Sequence, residues 1–220
     1  MGTNIIGLVG FIGSGKNSVA DILIRNHSFE KESFAAPLKD ACSVIFKWDR
    51  TLLEGDTEES RLFRETPDAF WSEKMGKNFT PRLAMQLMGT QVGRNIFYED
   101  LWVDALIKRI NFKSTTNSIL RQETNIVISD VRFPNEIDKI REIGGRVYRV
   151  IRGPDPEWFW TAFGTNRNSI DNTSSMTVKY PDIHYSEWAW IGHEIDGVIK
   201  NNHGLVELEH EVNELINKGE

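Results

Sequence analysis

Gly10-Phe11-Ile12-Gly13-Ser14-Gly15-Lys16-Asn17-Ser18 lies between a short apolar run, Ile5 to Val9, and a helical stretch, Asn17 to Arg25. It holds the G-x-x-x-x-G-K core of a phosphate-binding loop. Glycines there let backbone N–H groups converge on phosphate oxygens, and the N-terminus of the following helix adds a favourable field. Lys16 would reach the β- and γ-phosphates of a nucleotide. Gly13, Ser14, Gly15, Lys16, Asn17 and Ser18 are therefore the expected nucleotide-binding residues. The position after the lysine is usually Ser or Thr and here is Asn17, so the hydroxyl expected near Mg²⁺ is that of Ser18. A glycine-rich turn without a ligand is the plain alternative, and it would need neither the flanking strand and helix nor the lysine.

Other residues could serve the same chemistry. Moving a phosphoryl group requires positioning and charge stabilisation more than covalent catalysis. Two polyanions must be brought together, and the planar fork of arginine pairs bidentately with phosphate. Asp130 follows an apolar run at Ile126 to Ser129, where a carboxylate can order Mg²⁺-bound water or hold an arginine; capping the next turn is its plain role. Arg132 stands two residues on and could pair with phosphate or with Glu136. Arg152 follows the next strand, and Arg167 is a weaker version of the same expectation. Arg64 and Arg82 are candidates for an acceptor phosphate or its base, against the alternative of solvated helix faces. Gln86, four residues after Arg82, shares its helix face. His184 and Glu187 invite an acid/base reading; a positioning role fits better, with a structural histidine as the alternative. The remaining histidines share no metal-ligand spacing with His184.

The elements that must carry these residues alternate. Strands are predicted at Ile5 to Val9, Phe29 to Phe34, Ile126 to Ser129, Arg146 to Ile151 and Asp196 to Lys200. Helices are predicted after Asn17, from Pro37, from Thr80-Pro81 to a stop at Gly89, from Glu99 to Phe112, from Pro134 to Ile143 and from Leu205 to Ile216. Ser114 to Asn117 reads as a polar loop, and residues 49–79 as a helical or looped insertion. Residues 153–183 show no strong period, and a loop of that length is unusual unless it is functional. Alternation of this kind implies a parallel sheet covered on both faces, with ligands at the carboxyl ends of its strands. The phosphate loop, Asp130 and Arg152 all fall at such ends.

Composition narrows the classes. A chain of 220 residues with 40% apolar residues can bury a core. Its net charge of −6 argues against a large footprint for duplex nucleic acid, though not against a local basic pocket. The single cysteine, Cys42, cannot form an internal disulfide and reads as a buried thiol. No apolar run is long enough to span a membrane, the start resembles no signal peptide, and Ile6 breaks a myristoylation pattern at Gly2. The expected location is cytosolic. A symmetric dimer is the commonest assembly of such proteins.

Several further segments occur in an order that resembles the phage deoxynucleoside monophosphate kinases, within the wider P-loop kinases. They are Gly13-Ser14-Gly15-Lys16, Pro37-Leu38-Lys39-Asp40, Arg64-Glu65-Thr66 and Arg82 through Thr90. They continue with Trp102-Val103, Asp130-Val131-Arg132 with Glu136, Val150-Ile151-Arg152 and His184-Tyr185-Ser186-Glu187. The spacing G-K-x-[ST] is also that of nucleoside monophosphate kinases, although Asn17-Ser18 replaces the family's usual Asp-Thr. The stretch around Trp158 and Trp160 matches nothing in the pattern. The resemblance implies an α/β, three-layer P-loop kinase fold with a parallel five-stranded sheet. It implies a single domain over residues 1–220, with a helical substrate-binding insertion at about 37–112 and a lid at about 153–183. It implies ATP and Mg²⁺ as cofactors and a deoxynucleoside monophosphate as the small-molecule acceptor, without a nucleic acid polymer or a membrane, in the host cytoplasm for a phage enzyme. Lys16, Arg132, Asp130 and Arg152 would be catalytic. Lys39, Arg64, Arg82, Gln86, Asp130, Arg132 and Glu136 would meet substrate.

Two other readings stay open at this level. Residues 6–16 also resemble dephospho-coenzyme A kinase, whose acidic pair after the second strand is poorly matched by Glu32-Ser33-Phe34-Ala35-Ala36. A P-loop ATPase or nucleotide-binding module would turn over ATP without an acceptor, and its basic strip for nucleic acid is missing from this acidic chain.

Overall fold

In the computed structural model, residues 3–169 and 171–217 are described; Met1, Gly2, Ile170 and residues 218–220 lie outside them. The chain divides into two compact units, one of residues 1–33 and 112–220, the other of residues 34–111.

The first unit is built on β1 (Thr3–Val9), and every residue from Ile5 to Val9 is buried. A strand buried on both faces needs no polar alternation, which is why its sequence is one apolar run. α1 (Lys16–His27) and β2 (Glu30–Glu32) follow. Later come β3 (Thr124–Ile128), α7 (Pro134–Glu142), β4 (Arg146–Ile151), α8 (Phe159–Asn166), α9 (Met176–Lys179), β5 (Gly197–Lys200) and α10 (Leu205–Asn217). The five strands form one parallel sheet in the order β2-β3-β1-β4-β5. Side chains alternate between the faces of a strand. Ile6 and Leu8 therefore share a face, where they join Val19, Ile22 and Leu23 of α1 and Leu208 and Val212 of α10 in one core. Gly7 points the other way, and a Cβ there would sit 2.7 Å from Ile140 of α7. α7 thus lies on the opposite face, and the sheet is sandwiched between helices as expected.

The second unit contains α2 (Ala36–Phe46), a 3₁₀ turn at Thr51–Leu53, α3 (Glu58–Glu65), α4 (Ala69–Met75) and α5 (Pro81–Gln86). Its core gathers Cys42, Trp48, Leu53, Phe79, Ala84 and Met85. Thr57 and Ser60 close α3 with a capping box, and Thr80 caps α5 through the N–H of Leu83. α6 (Leu101–Ile119) leads back to the first unit. Among the described residues no helix is long and apolar enough to cross a membrane.

Three expectations fail for physical reasons. Gly89 does not end its helix: residues Leu87–Phe97 continue as a π-helix. The Trp102 indole N–H donates to the Gly89 carbonyl at 2.9 Å, and a Cβ on Gly93 would sit 2.6 Å from the Trp102 ring. Gly93 leaves room for an indole, and Gly89 bonds it, rather than stopping the helix. Ser114 to Asn117 is helical, not a loop. Its polar side chains bond within the unit, Ser114 Oγ with Thr3 Oγ1 at 2.7 Å and Asn117 Nδ2 with Thr124 Oγ1 at 3.1 Å. The second strand is only Glu30–Glu32, because its one partner, β3, ends at Ile128, opposite Glu32.

Leu8 is fully buried at the centre of the sheet. Leu8→Ala is expected to lower stability by roughly 2–5 kcal/mol, the range for emptying a closed aliphatic site, measured by urea unfolding of the full chain.

Candidate active site

The loop between β1 and α1 is shaped by what cannot fit. Gly10 has φ +145°, and a Cβ would lie 2.4 Å from the Val150 carbonyl oxygen. Gly15 has φ +100°, and a Cβ would lie 2.2 Å from Asn201 Nδ2, which donates to the Ser14 carbonyl at 2.9 Å. Asn201, immediately after β5, therefore braces the loop from behind. Sequence reasoning missed it, although its place at the carboxyl end of a parallel strand was a usable signal. Gly15 is also the N-cap of α1 and offers no side chain to the first-turn N–H groups, a helix start suited to an anion. Ser14 Oγ is buried and has no hydrogen-bond partner among the described residues. An uncapped helix start beside an unsatisfied buried hydroxyl fits a phosphate chain.

Lys16 Nζ donates to the carbonyls of Gly10 at 2.6 Å and Phe11 at 3.0 Å. Burial first, and then the positive charge of Arg132, push its pKa down to about 8, while Glu187 and Asp130 pull it up. The geometry thus brings Lys16, Asp130, Arg132 and Glu187 together. Arg132 bonds Glu187 at 3.1 Å. Glu187 lies in a 3₁₀ turn, Tyr185–Glu187, whose first N–H groups are capped by His184 through Ser186 N–H at 3.3 Å. His184 Nδ1 also lies 2.8 Å from Ser186 Oγ, so the histidine fixes that turn.

Glu136 holds backbone. It is 2% exposed, and its Oε2 accepts the backbone N–H groups of Arg132 at 2.7 Å and Phe133 at 3.1 Å. Arg132 pairs with Glu187, and the Glu136 carboxylate accepts the backbone N–H groups that lead into α7. Arg152 is exposed just after β4, and the next residue, Gly153, donates its N–H to Asn202 Oδ1 at 2.8 Å. Asn17 is exposed and Ser18 half-buried on the first turn of α1. Among the described residues no group of three or more His, Cys, Asp or Glu is placed to hold a metal.

In the second unit Arg64 and Arg82 are electrostatic neighbours. Burial and then Arg82 lower the pKa of Arg64, and its Nε is buried without a hydrogen-bond partner among the described residues. Its Nη1 donates to the Glu54 carbonyl at 3.2 Å, and Arg82 is ion-paired to Glu65. Gln86 is exposed one turn on from Arg82. Lys39 is held by Glu54, which also binds Arg50.

A family model described as deoxynucleotide monophosphate kinase matches residues 54–157. A protein of Acanthamoeba polyphaga mimivirus, named for the same activity, is 37% identical over 153 residues, covering 67% of this chain and 74% of its own. The chain belongs to the deoxynucleotide monophosphate kinase family. The deoxynucleoside-5′-monophosphate kinase of Escherichia phage T5 is 28% identical over 188 residues, covering 63% of this chain and 72% of its own. Dephospho-CoA kinase from Campylobacter jejuni is similar in structure at 14% identity, with a TM-score of 0.46 over 98% of this chain and 97% of that one. In this family member the phosphate loop, Asp130 and Arg132 occupy one unit, and Arg64, Arg82 and Gln86 the other.

A phosphate chain favours charged Lys16 and so raises its pKa on binding. Above pH 8 the free lysine loses its proton and binding must restore it, which costs affinity. Inorganic tripolyphosphate is expected to bind roughly tenfold more weakly at pH 9.5 than at pH 7.5 by titration calorimetry. In Lys16→Met that loss of affinity at high pH should not occur.

Proposed function

We propose that this enzyme transfers the γ-phosphoryl group of ATP to the phosphate of a deoxynucleoside monophosphate, giving the diphosphate and ADP. The observation that carries the reading is the loop itself: an uncapped helix start, a buried Ser14 hydroxyl without a partner among the described residues and a largely desolvated lysine, a set that suits a triphosphate. Family membership supports the choice of acceptor.

In this reading an oxygen of the acceptor phosphate attacks the γ-phosphorus in line, and the bond to the β-phosphate oxygen breaks as ADP leaves. The acceptor phosphate is already nucleophilic near neutral pH, so no strong base is needed. The first-turn N–H groups of α1 and Lys16 hold the β- and γ-phosphates. Arg132, set in place by Glu136 and restrained by Glu187, meets the negative charge that builds on the transferring group. Arg152, exposed at the end of β4, adds a further positive charge for the donor.

Mg²⁺, when bound, would supply charge neutralisation between the phosphates. A cation that keeps most of its water needs few protein ligands, so Ser18, backed by Asp130, suffices in the absence of a carboxylate cluster among the described residues. Asn17 joins the nucleotide-facing turn without ligating the metal.

We assign the acceptor to the second unit. Arg64, with an unsatisfied buried Nε beside Arg82, binds the acceptor phosphate, and Arg82 exchanges Glu65 for it. Gln86 meets the base edge, and Lys39 holds this framework through Glu54. Residues of about 37–112 are read as the substrate-binding insertion of one kinase domain, and 153–183 as its lid, which excludes water.

An ADP-release assay with ATP-Mg²⁺ tests the function, run with each deoxynucleoside and ribonucleoside monophosphate and with no acceptor. Release only with one or more deoxynucleoside monophosphates is expected; release without an acceptor would overturn the kinase reading. Lys16→Ala should reduce turnover by at least about a hundredfold with the fold intact by circular dichroism. Arg82→Ala should raise the acceptor KM about tenfold or more while leaving the ATP KM within about twofold.

A further inference from the structure

The aromatic stretch that matched no pattern packs against the phosphate loop. Phe11, the second residue of that loop, meets Trp158 edge-on at 5.2 Å, Trp190 at 5.3 Å and Phe159 edge-on at 6.3 Å. Arg149 stands behind them, with its guanidinium 4.6 Å from the Phe159 ring, 5.2 Å from Trp190 and 5.7 Å from Phe11. Arg149 pairs in register with Val9, the last residue of β1, so the box is anchored where the loop begins. Asp155 forms an ion pair with the same guanidinium.

The box joins three pieces of chain. Phe11 belongs to the loop, and its carbonyl accepts both Lys16 Nζ at 3.0 Å and Ser14 N–H at 3.1 Å. Trp158 and Phe159 begin α8, at the start of the long segment after β4. Trp190 stands where that segment returns. Asn166 at the end of α8 ties the same return stretch, donating to the carbonyls of Trp188 at 2.9 Å and Ile191 at 2.8 Å. Both ends of the segment therefore converge on a residue whose carbonyl holds the catalytic lysine.

We infer that Phe11 is a positioning residue: seated in the box of Trp158, Phe159, Trp190 and Arg149, it sets the loop carbonyls that hold Lys16 and couples nucleotide binding to the segment between β4 and β5. The inference rests on the reading of Gly10 to Ser18 as the ATP site. Ring faces, rather than bulk alone, carry the coupling, because edge-to-face contact and the cation over a ring both depend on the aromatic quadrupole. A phenylalanine at this variable position of the loop pattern would otherwise be free to be any residue.

The test is a double-variant cycle on the full chain, with ATP-Mg²⁺ affinity read by titration calorimetry. Phe11→Leu and Trp158→Leu are each expected to weaken ATP binding about tenfold, and the double variant little more than either alone, since both single variants break the Phe11–Trp158 contact and open the same box. Phe11→Tyr should restore affinity to within about twofold of the native chain, and deoxynucleoside monophosphate affinity should stay within about twofold throughout. Fully additive losses, or native ATP affinity in a folded single variant, would overturn the inference. If Phe11→Leu does not fold, Trp158→Leu with native ATP affinity overturns it and Trp158→Leu with the tenfold loss supports it. Native protein that binds no ATP would instead overturn the nucleotide site beneath it.

Discussion

The ammonium of Lys16 sits largely out of water and beside the positive Arg132, and both circumstances oppose its charge. Two loop carbonyls, Asp130 and Glu187 keep it in place. Such a cation is poised for a partner more negative than any the protein supplies. Most of the first unit follows from that requirement. The sheet must bring the end of β1 beside β3 and β4, because Asp130 follows one and Arg149 lies on the other. The loop must be glycine at Gly10 and Gly15, because Val150 and Asn201 occupy the space a side chain would need.

The second unit repeats the logic with arginine. Arg64 is desolvated beside Arg82, and only part of its hydrogen-bonding capacity is met by Glu54. Like charges held close in partly buried surroundings are unfavourable until an anion arrives. Arg82 is paired with Glu65 through an exposed contact, which contributes little to stability. By contrast, the cluster of Lys39, Glu54, Arg50, Asp40 and Arg109 balances cations with carboxylates and reads as scaffold.

Much of this was legible in the residues because it is local. The run Ile5 to Val9, the glycines and lysine after it, and the strand Arg146 to Ile151 each carry their own pattern. Thr80-Pro81 announced a capped helix for the same reason. What stayed hidden depends on contacts between distant residues. The end of β2 was overdrawn because it is set by pairing with β3, which is distant in sequence. Gly89 looked like a helix stop because nothing near it announces the Trp102 indole. The spacing of Glu136 places it near Arg132 but does not say that it also binds backbone. Asn201 and the aromatic box around Arg149 join residues far apart in sequence, and no short window contains both sides of such a contact.

The indole of Trp102 has one further implication. A side chain on Gly93 would overlap the ring, the Gly89 carbonyl is its hydrogen-bond partner, and the π-helical winding of residues 87–97 presents both to it. Gly93 and Trp102 are consequently a linked pair: a lineage that enlarges Gly93 must shrink or lose the tryptophan, and one that loses the tryptophan frees Gly93 to drift. Gly89 is held by a different neighbour, since a Cβ there would sit 3.0 Å from Leu38, while the carbonyl that Trp102 uses is one any residue supplies. Among related chains positions 93 and 102 should therefore change together.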